Sequence, residues 1–278
     1  MSGMDPHEAP PSGARDRKGP EVKTLEKALR VLAHLGEARR ELSIQEVARA
    51  VGLPASTAYR LLAVLARHHY LQPGSGPGRY ALGLRLAELG HLALEGIELR
   101  AKARPVLEAV MAETRETIHL MVPEGDAGIY VDRVEGPQRI RVTASLGFRE
   151  PLHVSAVGKA ILAHLPREES ERILARGLVG ITPRTVTKPA QLRRQLREIV
   201  ARGFAVDLEE GEAGVRCAGA PVFDHRGRVV AAISVSAPAY RTPLPKLMGW
   251  GPRVRDAADT VSRALSFRPA TKPVPRPG

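Results

Sequence analysis

The sequence predicts an α+β protein: a small winged helix-turn-helix, then a larger domain built around a mostly antiparallel sheet. Three observations carry that expectation. Leu42 to Leu82 reads as two short helices around a glycine turn, followed by a hairpin with a Gly/Pro tip. From Thr117 onward the apolar spacing changes from helical to alternating. Strands and helices then come in separate groups, as in α+β folds.

The N-terminal elements follow in order. Leu25, Ala28, Leu29, Leu32 and Leu35 mark an amphipathic helix expected to back the DNA-reading pair. Ser43-Ile44-Gln45-Glu46 is a capping box, in which Ser43 accepts from the Glu46 amide and Glu46 reaches back. Ile44, Val47, Ala48 and Val51 then share one helical face, and Gly52 supplies the left-handed stop. Pro54 restarts the chain near the first turn of a second helix, whose stripe is Ala58, Leu61, Leu62 and Leu65. That stripe turns Ser56, Thr57, Tyr59, Arg60 and Arg67 outward. The second helix of such a motif enters the DNA major groove. Tyr70–Gln72 and Arg79–Leu82 around Pro73–Gly78 form the wing.

The expected DNA contacts are Ser43, Gln45, Ser56, Thr57, Tyr59, Arg60 and Arg79. Arg60 suits a guanine edge or a phosphate, and the sequence leaves both open. Between Glu46 and Glu88 there is no acidic residue, while Arg49, Arg60, Arg67, Arg79 and Arg85 all lie there. A one-signed run over a DNA-reading motif is the footprint of a polyanion partner. An ordinary helical hairpin with solvated arginines accounts for each piece alone, but not for all of them together.

Five segments are expected: a disordered extension at 1–20, the winged helix-turn-helix at 21–83, a leucine-rich linker helix at 84–100, an effector domain at 101–267 and a disordered tail at 268–278. Pro105 is expected to start a helix carrying Val106, Leu107, Val110 and Met111. Ile118–Val122 reads as a strand stopped by Pro123 and Gly125. Ile129–Val131 and Ile140–Val142 read as a pair joined through Glu135-Gly136-Pro137. Val157–Leu162, a segment near Glu169–Ala175, Ala190–Arg202 and Leu244–Leu265 read as helices. Phe204–Val206, Val215–Phe223 and Val229–Val235 read as further strands.

A net charge of +12 fits DNA as partner, although part of it lies in the tails and the second half. Hydrophobic content of 43% supports real cores. One cysteine excludes an internal disulfide framework and fits the cytoplasm. No apolar run approaches the ~20 residues of a membrane helix, and no signal-peptide core stands at the N-terminus.

Three segments are candidates for one ligand cup in the larger domain. Ser145-Leu146-Gly147 is read as a strand end, Asp207 closes another strand ahead of Cys217, and Ser234 and Ser236 face one side of theirs. Glu209 and Glu212 are read as solvated.

These blocks resemble the IclR (isocitrate lyase regulator) family of bacterial transcription factors, from about Val22 to Leu265. The likeness rests on Leu42–Ala48, Gly52-Leu53-Pro54, Ser56–Leu62 and Tyr80–Gly83. In the second half it rests on His153–Ala160, Gly203–Asp207 and Gly214–Val222. It implies a winged helix-turn-helix, a linker helix and a GAF-like effector domain. It also implies a homodimer, often paired into tetramers, that binds an operator as repressor or activator. The effector it implies is a small organic or aromatic acid, held here by Leu146, Gly147, Asp207, Cys217, Ser234 and Ser236. No cofactor or metal is expected.

Sharper readings fare worse. Gly158-Lys159-Ala160 looks like the end of a phosphate loop, but the earlier glycine and the Ser/Thr after lysine are missing, so a structural turn is expected. Cys217 with His153 or His225 suggests a thiol nucleophile, yet strand placement among glycines favours a small lining residue. Nine histidines show no tight ligand spacing. An enzyme or ligand-binding protein whose helical domain only oligomerises, and an architectural DNA protein, are the other classes considered.

Overall fold

Capping and stripe chemistry place the first helices. The computed structural model describes residues 22–95 and 98–267; the expected extension and tail lie outside them. Helix α1 (Lys23–Ala38) precedes strand β1 (Leu42–Ser43), helix α2 (Ile44–Val51) and helix α3 (Ala55–Arg67). The Ser43–Glu46 capping box forms with both bonds, and Gly52 ends α2 at φ 65°. Strands β2 (Leu71–Pro73) and β3 (Arg79–Leu82) make the wing, and β1 adds to β3 as a third strand. Val31, Leu35, Leu42, Val47, Val51, Leu61, Leu62 and Leu71 form this unit's core. Leu25 and Leu29 depart from expectation, being 55% and 56% exposed. The inward face of α1 runs through Ala28, Val31, Leu32 and Leu35, and the two leucines lie off it.

Helix α4 (Leu84–Glu95) follows the wing, and the chain divides into two compact units between His91 and Leu92, within that helix. Helix α5 (Glu98–Thr114) carries Pro105 in its interior rather than starting there. The ring sits on the exposed side, while Ala103, Leu107 and Val110 pack inward. Burial of that stripe offsets the backbone bond that proline removes.

The second unit is a six-stranded antiparallel sheet in the order β6-β5-β4-β9-β8-β7. Its strands are β4 (Thr117–Glu124), β5 (Ala127–Val134), β6 (Arg149–Pro151), β7 (Ala205–Leu208), β8 (Val215–Phe223) and β9 (Val229–Pro238). Pro123 lies inside β4, and the hairpin turn is at Gly125-Asp126. Ile140–Val142 forms no strand: β5 already pairs with β4 and β6, and Ile140 is 65% exposed. Residues 135–148 instead make a long loop, and Leu146-Gly147 is a turn, not a strand end.

One sheet face packs on α5 and α9 (Leu244–Ala264), through Leu107, Leu247, Trp250, Val254 and Val261. The other carries α6 (Ala156–Leu162), and its core continues through Ile173 of α7 (Arg167–Ala175) and Leu192, Leu196 and Ile199 of α8 (Pro189–Arg202). Gly219 lets α6 approach, since a Cβ there would meet Ala156 and Val157 backbone at 3.0 Å. Gly158-Lys159-Ala160 lies within α6 rather than in a turn leading to it, and Ser155 caps it by accepting from the Gly158 amide.

Candidate functional site

In the first unit, α3 presents Ser56, Tyr59 and Arg60 to solvent, with Thr57 half-buried at its edge. Tyr59 is 54% exposed, although aromatic, while Ala58, Leu61 and Leu62 anchor the opposite face. The first turn of α3 has no acidic residue and no side-chain cap, so its leading amides suit an anion. Gln45 is exposed on α2. The Ser43 hydroxyl is occupied by the capping box. In return the Ser43 amide donates to Glu46, and this bond is the main cause that holds the Glu46 pKa down to about 2.

Arg79 is more constrained than its sequence position implies. It donates to the Glu41 carbonyl at 3.0 Å and lies 3.5 Å from the Glu41 carboxylate and 3.8 Å from that of Glu46. Glu41 also accepts from the amide and hydroxyl of Ser75 at the wing tip. Glu41 and Arg79 therefore tie the wing to the start of α2, a role the linear pattern did not display.

In the second unit, strand parity brings Asp207, Cys217, Ser234 and Ser236 onto the sheet face that carries α6. Asp207 is in register with Cys217, and Cys217 with Ser236. All four are at most 7% exposed. Leu146 and Gly147 stand apart, exposed in their turn, which docks on β5 through the Gly147 amide and the Tyr130 carbonyl at 2.8 Å.

His119, not proposed from sequence, joins that loop to the face. The Ala144 amide donates to His119 Nε2 at 3.1 Å, so the ring proton sits on Nδ1, 3.2 Å from Ser236 Oγ. Burial lowers the His119 pKa to about 4, which keeps the ring neutral. Its signal in the sequence was parity alone: His119 shares a strand face with Met121.

Glu150 was also missed. Its Oε2 accepts from Ser155 Oγ at 2.5 Å and from the Tyr130 hydroxyl at 3.0 Å. Burial raises its pKa, pushes that of Asp207 up to about 7 and lifts the Cys217 thiol well above its usual range. Lys159 is 1% exposed and donates to Glu210 at 2.5 Å. It is enclosed, and no phosphate reaches it. Glu209 is half-buried rather than solvated, bonded to Arg184 and Arg216, while Glu212 is exposed as expected. Among the described residues, no three His, Cys, Asp or Glu side chains are grouped to hold a metal ion. Nor is any helix there long and apolar enough to cross a membrane.

Comparison with known proteins agrees with this layout. Residues 24–74 match the IclR helix-turn-helix domain, and residues 91–263 match the model described as bacterial transcriptional regulator IclR C-terminal. The HTH-type transcriptional regulator XynR of Escherichia coli is 33% identical over 249 residues, 89% of this chain and 99% of that protein. The crystal structure of Thermotoga maritima IclR is 35% identical with TM-score 0.71, covering 89% of this chain and 100% of that one. An IclR homolog from Microbacterium hydrocarbonoxydans, crystallised with 4-hydroxybenzoate, is 30% identical with TM-score 0.73, covering 87% and 99%.

Proposed function

The chain belongs to the IclR family of transcriptional regulators, with a DNA-binding helix-turn-helix and a C-terminal effector-binding domain, and from that premise we propose how its residues divide the work. Gln45, Ser56, Thr57, Tyr59 and Arg60 contact the operator. Ser43 serves through the cap that sets the angle of α2, and Arg79 through the wing it braces and its remaining charge. The observation that carries this reading is the exposed face of α3, polar and free of acid, at a helix start with unfilled amides.

The effector, a small organic or aromatic acid, enters the polar face formed by Asp207, Cys217, Ser234 and Ser236. Leu146 and Gly147 close over it, moved by the loop that His119 tethers. The bound homolog with 4-hydroxybenzoate supports this class of ligand. The effector acts by binding one arrangement of the protein better than another, since equal affinity shifts nothing.

The protein acts in the cytoplasm, where its DNA is, and works as a regulator rather than an enzyme. Its relative is named a regulator, and Cys217 is a buried thiol kept protonated, a poor nucleophile. It functions as a homodimer or a pair of dimers. Leu25 and Leu29, exposed one turn apart on α1 beside the capping Val22, support that, because adjoining exposed apolar side chains mark interaction surfaces.

The test is selection of double-stranded DNA from random sequence, followed by footprinting. Two protected half-sites are expected, centred about 10 base pairs apart or a multiple of that, with binding that weakens steeply with salt. Uniform, sequence-independent protection would overturn the proposal.

A further inference from the structure

Between Glu37 and Glu88 the chain carries two acidic residues, Glu41 and Glu46. A carboxylate beside a phosphate-reading surface weakens the attraction to DNA, so each calls for a reason. Glu46 is engaged in the α2 cap. Glu41, just ahead of β1, reaches across to the wing tip. Its Oε2 accepts from the Ser75 amide at 2.8 Å and from the Ser75 hydroxyl at 2.9 Å. Arg79 Nε lies 3.5 Å from the same oxygen. The bond from the Ser75 amide is the main cause that lowers the Glu41 pKa, so the group is ionised at neutral pH.

The wing tip is shaped to admit this carboxylate. A Cβ on Gly74 would collide with Glu41 Oε2 and crowd the Arg79 Cβ at 3.0 Å. The tip, Pro73–Gly78, holds three glycines, and glycine loses more backbone freedom on ordering than any other residue. Within the tip, the Gly74 amide donates to the Arg79 carbonyl at 2.8 Å and the Arg79 amide to the Gly76 carbonyl at 3.2 Å. Neither bond holds Ser75, whose two donors both go to Glu41. On the other flank, the Ile44 amide at the start of α2 donates to the Gly78 carbonyl at 3.0 Å. The tip is thus pinned from both sides to the segment that leads into α2.

Resting on the operator-contact reading above, we propose that Glu41 is a positioning residue for DNA recognition. It touches no DNA itself. It holds the wing tip ordered beside α2, so that the Gly76-Pro77 apex meets the duplex in fixed register with α3. A tip ordered in advance has less freedom to lose on binding, and the difference appears as affinity. Charge alone predicts the opposite sign. The Glu41 carboxylate repels phosphates, so a protein without it should bind any duplex more tightly if attraction were all that mattered. Positioning instead requires that its removal weaken operator binding.

The experiment measures binding of the full-length protein to its selected operator and to a scrambled duplex, by fluorescence anisotropy at physiological salt, with hydroxyl-radical footprinting of the operator. Glu41→Ala removes both the charge and the clip. Gly74→Ala keeps the charge and displaces the carboxylate, which sits at the end of a flexible side chain. Each is expected to weaken operator binding about 10-fold, with protection lost where the wing lies, kept where α3 lies, and the circular dichroism spectrum unchanged. Glu41→Gln, which keeps a neutral acceptor for the Ser75 amide, should fall between Glu41→Ala and the parent. Parent-like or tighter operator binding by Glu41→Ala overturns the proposal, as does a loss of affinity with the whole footprint retained. If Glu41→Ala melts below the parent, Gly74→Ala decides by the same two criteria. A parent protein that prefers the operator no more than the scrambled duplex fails earlier, at the operator reading, and takes the proposal with it.

Discussion

At the scale of single residues, burial converts ordinary side chains into committed ones. Asp207 is the clearest case. Its folded pKa near 7 lies above the unfolded value near 4, so the folded state binds more protons between those limits. Its contribution to stability is therefore favourable below about pH 4 and is lost as pH rises towards about 7. His119 runs the other way, because its folded pKa of about 4 is below the unfolded 6.5 and stability is gained as pH rises through that window. Comparing the parent with Asp207→Asn separates the two. The stability difference between them, read by urea unfolding, should shrink or reverse from about pH 4 to pH 7, by an amount on the order of a few kcal/mol. A constant difference across that range would show that Asp207 is not held protonated. Arg60 belongs to the same scale but acts at the surface. Arg60→Ala should weaken binding to a selected operator by about 1–3 kcal/mol and leave the circular dichroism spectrum and melting point unchanged. Parent-like affinity at physiological salt would remove Arg60 from the interface.

At the scale of elements, the short helix α6 and the loop after β7 hold each other. Lys159 reaches from α6 to Glu210, and the Glu210 carbonyl accepts from Thr185 at 2.6 Å. This matters for the site because the same loop supplies the amide that fixes Asp207. Lys159→Met should destabilise the protein by about 3–5 kcal/mol, since it strands a buried carboxylate. Lys159→Met with Glu210→Leu should recover much of that loss. If the double variant is no more stable than the single one in equilibrium unfolding, the pair is not the latch described here.

At the scale of the whole molecule, the unburied leucines are the proposed assembly contact. Leu25 and Leu29 contribute little to the core of their own unit and present apolar surface from α1. Leu25→Glu with Leu29→Glu should leave the helix-turn-helix folded and convert the protein to a smaller species in sedimentation velocity. The same variant should lose affinity for a two-half-site operator far more than for a single half-site, because linked binding is what multiplies the two contacts. An unchanged sedimentation coefficient would move the dimer contact elsewhere.

Much of this was legible in the chain itself because it depends on neighbours in sequence. The capping box, Gly52, the α3 stripe and the hairpin tip are each set within a few residues, and all formed where local chemistry put them. Strand parity likewise placed Ser234 and Ser236 on one face, while the register of three strands brought Asp207 and Cys217 to it. What stayed hidden depends on partners far along the chain. Ile140–Val142 has the composition of a strand but no open edge to join. Pro105 survives inside α5 because the opposite face is buried. Glu150 looks like any surface acid until Tyr130, Ser155 and Asp207 close around it. Sequence thus determined the local elements, their faces and the family chemistry. Only tertiary packing decided which charges are desolvated, because burial and long-range pairing are properties of the assembled layers and not of any one segment.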